Sequence, residues 1–165
     1  MKKRYAVAFT GPSGSGKTTL IEKVAKELIK TKKVAIIKHD PKDKAVFDVE
    51  GKDSYKFSQT GAEVVVASSK RTTYLSQQEK SLDEIIEMFG DFDYLLVEGL
   101  KSLPLPRIAI FRNSIEESYF KFSEAMAIDN SIDIKSYSTP TSLDILDLNS
   151  TEAIISWIKI NAKEI

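Results

Sequence analysis

The stretch GPSGSGKT, residues 11–18, limits what this chain can fold into more than any other feature. Gly11, Gly16, Lys17 and Thr18 satisfy the pattern G-x-x-x-x-G-K-[ST]. An apolar run, residues 4–10, precedes it, and Leu20, Ile21, Val24 and Leu28 recur at helical spacing after it. Strand, glycine-rich turn and helix in that order bring consecutive backbone N–H groups to a helix N-terminus, whose dipole favours an anion. Gly11, Gly14 and Gly16 let the backbone wrap closely, with Pro12, Ser13, Ser15 and Thr19 completing the turn. The expectation is a phosphate cradle in which Lys17 reaches the β- and γ-phosphates of a nucleotide and Thr18 coordinates Mg2+.

Further apolar runs at 33–38, 63–68, 94–99, 107–112 and 125–129 read as buried strands. A short helix is predicted near 54–60 before Gly61. Another follows a capping box of Ser81 and Glu84 and stops at Gly90, and a last amphipathic helix is capped by Asn149 with Glu152. Alternation of strands and helices predicts an α/β protein with the three-layer P-loop NTPase fold, a mainly parallel sheet flanked by helices, in a single domain spanning 1–165. The turn at PLPRI is too short for a crossover helix, which predicts one antiparallel strand there. Residues 130–148 show only a turn at Pro140.

In an open parallel sheet ligands bind beyond the carboxyl ends of the strands. That rule gathers Lys38 and His39, Ser68 to Lys70, Glu98 with Lys101, Arg112 and Asp129 around the cradle. Glu98 is the candidate second carboxylate for Mg2+ or its water, and Lys17 with Glu98 forms the candidate catalytic pair. Lys38, His39, Lys101 and Arg112 are sited to meet anionic oxygens. With 24 basic and 24 acidic residues there is no global field for nucleic acid or a membrane surface. No cysteine is present, and His39 is the only histidine, which excludes a multi-histidine metal site within one chain. The basic opening, Lys2 to Arg4, leads into an apolar run too short for a signal core, so the expectation is a cytoplasmic protein with no membrane span.

GPSGSGKTTL also resembles the loop of guanylate kinases. A small-molecule or nucleoside kinase needs an arginine-bearing lid, and only Arg4, Arg71, Arg107 and Arg112 are available. IIKHD, FDVEGKDSYKFSQTGAEVVVASS and DYLLVEGLKSLPLPRIAIFR, in that order, together resemble the molybdopterin-guanine dinucleotide biosynthesis adapter protein B (MobB) family, from the P-loop to about Arg112. The resemblance implies a dimeric GTP-binding protein that assists the guanylyltransferase MobA in attaching GMP to molybdopterin; with no glutamine identified to orient the attacking water, hydrolysis is expected to be slow and carried by Mg2+ and Lys17. It also implies that Asp48 to Ser54 form a signature loop. GTP over ATP rests on that resemblance, since no NKxD motif is present. A metal-insertion maturation GTPase is the nearest alternative, although its metal-binding tracts are lacking.

The run from Lys38 to Ser54 mixes both signs of charge at the end of a strand. It is expected to be a mobile loop that orders around nucleotide, metal or pterin. Phe47 and Val49 are expected to anchor it while Asp48, on the other side of an extended chain, faces the ligand.

Overall fold

The computed structural model describes residues 3–165; Lys2 of the basic opening lies outside them. The chain runs β1 (Tyr5–Thr10), α1 (Lys17–Leu28), β2 (Val34–Lys38), α2 (Asp53–Ser58), β3 (Val64–Ala67), β4 (Thr72–Leu75) and α3 (Leu82–Met88). It continues through β5 (Tyr94–Glu98), β6 (Arg107–Phe111), β7 (Ala125–Ile128), β8 (Asp144–Asp147), α4 (Thr151–Asn161) and β9 (Lys163–Glu164). Two compact units result. One comprises the chain up to His39 and from Asp91 onward; the other is Asp40–Gly90.

The first unit is built on a seven-stranded sheet in the order β2-β5-β1-β6-β7-β8, with β9 also paired to β1. Every neighbouring pair along that order is parallel. On one face Val7, Phe9, Leu96, Ile108 and Ile110 pack against Leu20, Ile21, Val24 and Leu28 of α1 and Ile154, Ile155, Trp157 and Ile158 of α4. The opposite face of β6 and β7 presents Ala109, Phe111 and Met126 to Tyr119, Ile132 and Leu143. Alternate residues of one strand thus enter different clusters, as a strand buried on both faces requires. The fold is the mainly parallel α/β architecture with flanking helices that the sequence predicts.

The expected antiparallel strand after PLPRI is not found. β6 runs parallel to β1, and the register gives the reason. Ala8 of β1 faces Val97 on one side and Arg107 on the other. Since β6 begins about level with the end of β5, residues 99–106 need only step sideways over β1, roughly two strand spacings or ~10 Å. No helix is required. The same stagger leaves Tyr5 and Ala6 without β6 as a neighbour, and β9 fills that place antiparallel, pairing Glu164 with Tyr5 and Lys163 with Ala6. The antiparallel partner is therefore a short C-terminal strand that the sequence reading did not predict.

The last helix is capped by Ser150, whose hydroxyl accepts from the Ala153 N–H at 3.2 Å, in place of the expected Asn149. Asn149 instead donates its backbone N–H to Asp147 at 2.8 Å, closing the turn before the helix. β8 emerges from the stretch with no sequence signal, tied to α4 by the Trp157 indole N–H donated to Asp144 at 2.7 Å.

In the second unit β3 and β4 form an antiparallel hairpin outside the large sheet. EVVVAS is thus not a buried strand: Val65 and Val66 are 58% and 44% exposed, and Ser68 to Lys70 form the hairpin turn rather than the end of a parallel strand. A continuous apolar run does not by itself separate a core strand from an exposed ribbon. α3 carries the predicted capping box, with the Ser81 hydroxyl accepting from the Glu84 N–H and the Glu84 carboxylate from the Ser81 N–H. No helix of the described residues is long and apolar enough to cross a membrane.

Candidate phosphate-binding site

β1 ends at Thr10 and α1 begins at Lys17, so residues 11–16 must turn the chain into the helix within one tight loop. Gly11, Gly14 and Gly16 take φ of 143°, 76° and 96°, values that side chains rarely allow. Gly11 is the most constrained, because a Cβ there would lie 2.4 Å from the Ile110 carbonyl oxygen. Gly11→Ala is accordingly expected to lower stability by about 1–3 kcal/mol and to weaken nucleotide binding with it. A chemical denaturation midpoint equal to that of the parent protein would show that the loop absorbs the methyl group.

Lys17 Nζ lies across the loop, donating to the carbonyl oxygens of Gly11 at 2.9 Å and Pro12 at 2.7 Å. Burial holds its ammonium below the ordinary lysine value; Glu98 opposes that effect, while the charges of Lys38 and Lys101 add to it. Three strand-end residues chosen from sequence therefore lie within electrostatic reach of Lys17. The Ser15 hydroxyl is buried with no hydrogen-bond partner among the described residues. An orphaned donor inside a glycine loop is costly unless an acceptor arrives, and a phosphate oxygen fits that need. Pro12 and Ser13 form the loop's outer turn, and Thr19 lies exposed in the first turn of α1.

Glu98 closes β5, the strand between β1 and β2, with its side chain 14% exposed and its carboxylate 3.6 Å from Lys38 Nζ. Thr18, Glu98 and Lys38 line one cleft of about 380 Å3, with Ile21, Ala25, Ile29 and Ile36 and the charged pair Glu22 and Lys26 on its other walls. A hydroxyl and a carboxylate are the hard oxygen donors that Mg2+ takes, with waters and phosphate oxygens filling its other positions. No group of three metal-ligating side chains occurs among the described residues. The site therefore fits a nucleotide-borne ion better than a dedicated metal cage.

His39 continues the sheet, its N–H donated to the Glu98 carbonyl at 3.0 Å, and its ring leans on Gly99. Arg112 lies beside the loop, with Nε 3.3 Å from where a Cβ on Gly16 would be and 3.3 Å from the Asp129 carboxylate. Asp129 also accepts from the backbone N–H and hydroxyl of Ser131, which pull its pKa down, so it serves the turn and Arg112. Lys101 Nζ sits 3.9 Å from the centre of the Tyr119 ring. Tyr119 is a core residue that packs edge-on against Phe111.

Asp48 belongs to the second unit. Its Oδ1 accepts from its neighbour Val49 N–H at 2.9 Å and from the Ser54 hydroxyl at 3.0 Å, while Oδ2 is buried without a partner. The anchoring expected of Phe47 and Val49 fails: they are 84% and 64% exposed, and Asp48 is the more enclosed residue. A carboxylate that can close a turn onto Ser54 overrides simple alternation.

Sequence reasoning missed the part played by Arg107, which it read only as the head of a strand. Its side chain is fully buried, and its guanidinium donates to the carbonyls of Gly99 at 2.7 Å, Leu100 at 2.8 Å and Leu103 at 3.4 Å. It thereby fixes the loop that follows Glu98, including Leu100 at a left-handed φ of 47°. The available signal was a lone arginine at the start of an otherwise apolar run.

Comparison with known proteins agrees with this fold. The family model described as "Molybdopterin guanine dinucleotide synthesis protein B" matches residues 6–130. A molybdopterin-guanine dinucleotide biosynthesis adapter protein of Haemophilus influenzae is 34% identical over 93% of this chain and 86% of its own length. The corresponding Escherichia coli protein is 32% identical over 92% and 90%. The crystal structure of Bacillus subtilis MobB superposes with a TM-score of 0.74 at 23% identity, covering 93% of this chain and 98% of the other, a likeness of fold. With a matching family model over most of its length and full-length relatives above 30% identity, this chain belongs to the MobB family.

Proposed function

We propose that this protein binds GTP with Mg2+ on residues 11–18 and acts as the nucleotide-binding adapter of MobA, the guanylyltransferase that attaches GMP to molybdopterin. The observation that carries the reading is the convergence of Lys17, Lys38, Lys101 and Glu98 on a glycine cradle, in a family whose relatives are named adapters of that synthesis. Lys17 exchanges the carbonyls of Gly11 and Pro12 for phosphate oxygens, and the Ser15 hydroxyl gains its missing acceptor. Thr18 and Glu98 hold the ion and its waters; Mg2+ there supplies charge neutralisation at the β- and γ-phosphates. No glutamine stands out as orienting a water, which favours slow hydrolysis and an adapter role over a fast GTPase. A homodimer in the cytoplasm completes the reading.

Guanine preference is tested by competing ATP against labelled GTP; equal displacement would reduce the site to a generic nucleotide cradle. Glu98→Gln is expected to raise the Mg2+ concentration needed for half-maximal GTP binding by about tenfold, with little change in stability, because a carboxylate becomes a neutral ligand. An Mg2+ titration that overlays the parent protein would make Glu98 a mere strand-end residue. Replacing GTP by a non-hydrolysable analogue in the MobA reaction separates the adapter from the GTPase.

A further inference from the structure

A cleft of about 580 Å3 is formed by the crossover 99–106, the 3-10 turn Glu117–Phe122 and the C-terminal strand β9. Lys101, Lys121 and Lys163 line it from these three elements, with Phe122, Pro104 and Asn161 on the walls. Among the described residues none of the three ammonium groups has a carboxylate within 4.0 Å. Lys121 and Lys101 stand 4.9 and 5.9 Å from the centre of the Phe122 ring, and Lys163 Nζ donates to the Pro104 carbonyl at 3.2 Å. The cleft's one acid, Glu124, accepts from the Arg107 backbone N–H at 2.8 Å. In a chain of zero net charge, two cations beside one ring and a third lining the same cleft repel each other, and an anion among them would relieve that repulsion. The Arg107 clamp on the carbonyls of Gly99, Leu100 and Leu103 gives the cleft a fixed wall.

We infer that this cleft is a second ligand site, for a phosphorylated fused-ring heterocycle whose ring stacks on Phe122 and whose phosphate meets Lys101, Lys121 and Lys163. Its volume far exceeds a bare phosphate, and an exposed aromatic ring among lysines suits a flat, anionic ligand. A pterin phosphate and a purine monophosphate share that chemistry. The inference rests on the proposed adapter role, under which the phosphorylated pterin is the acceptor. Lys101 then stands between the two sites, within electrostatic reach of Lys17.

The test uses the whole protein with GTP and Mg2+ present in excess, titrated separately with neopterin monophosphate, GMP, unphosphorylated neopterin and inorganic phosphate. Saturable binding of neopterin monophosphate or of GMP is expected, the tighter of the two identifying the source. Phe122→Ala is expected to weaken it about tenfold through lost stacking. Lys121→Gln, at an exposed position, is expected to weaken it about tenfold as well through a lost charge-assisted contact. GTP affinity should stay unchanged in both variants. Inorganic phosphate binding as tightly as the heterocycles, or affinities indifferent to both substitutions, would overturn the site. A parent protein that takes GTP yet binds neither monophosphate overturns this inference alone, whereas failure to take GTP sinks the adapter reading itself.

Discussion

Lys17→Ala lowers the affinity for GTP and Mg2+ by about a hundredfold or more, since two charge-assisted contacts to phosphate are lost together. The fold survives. Lys17 contributes no apolar volume to the core, and the Gly11 and Pro12 carbonyls it leaves are at the rim of an open loop, where water replaces it. A stability change within about 1 kcal/mol is expected for such a site. Isothermal titration of the folded variant is the measurement, and parent-like affinity would remove the phosphate cradle as the working site. A pH titration adds a second check. Only the ammonium form binds phosphate, so affinity is present below the Lys17 pKa and lost as pH rises through it. Burial and the neighbouring lysines lower that pKa in the free protein, so the loss begins at a lower pH than an ordinary lysine would give.

Arg107→Ala acts on the same site from the opposite direction, through the fold. It removes a fully buried guanidinium and strands the carbonyls of Gly99, Leu100 and Leu103. Leaving three carbonyls without their buried, charged donor costs about 3 kcal/mol. For a chain of this size the thermal midpoint falls on the order of 10 °C. Arg107→Lys restores the charge but not the fork, and it recovers only part of the loss, because one ammonium cannot meet three diverging carbonyls. A midpoint within a degree or two of the parent protein for the alanine variant would show that the crossover holds itself.

The candidate phosphate loop was legible in the sequence because its backbone turn is local, though Ile110 and Arg112 reach it only through the fold. Gly11, Gly14 and Gly16 are required by φ values that other residues resist, and Lys17 reaches carbonyls only a few positions away. The two amphipathic helices of the core, α1 and α4, were legible for the same reason, their apolar stripes being set by a period of 3.6. Glu98 and Lys38 were picked out by a rule of topology, and the parallel sheet sets both at neighbouring strand ends, with Arg112 just past the end of β6. What the sequence left undecided was decided by register and partner. EVVVAS has the composition of a core strand and became an exposed ribbon, because its partner is β4 and not the large sheet. PLPRI announced a short connection, and only the stagger of β6 on β1 showed how a short connection joins two parallel strands and leaves room for β9. Arg107 was one charge ahead of an apolar run until the chain folded three carbonyls around it. Periodicity is a property of neighbours in sequence; which edge a strand finds, and which buried carbonyl a charge must satisfy, depend on segments far apart in the chain.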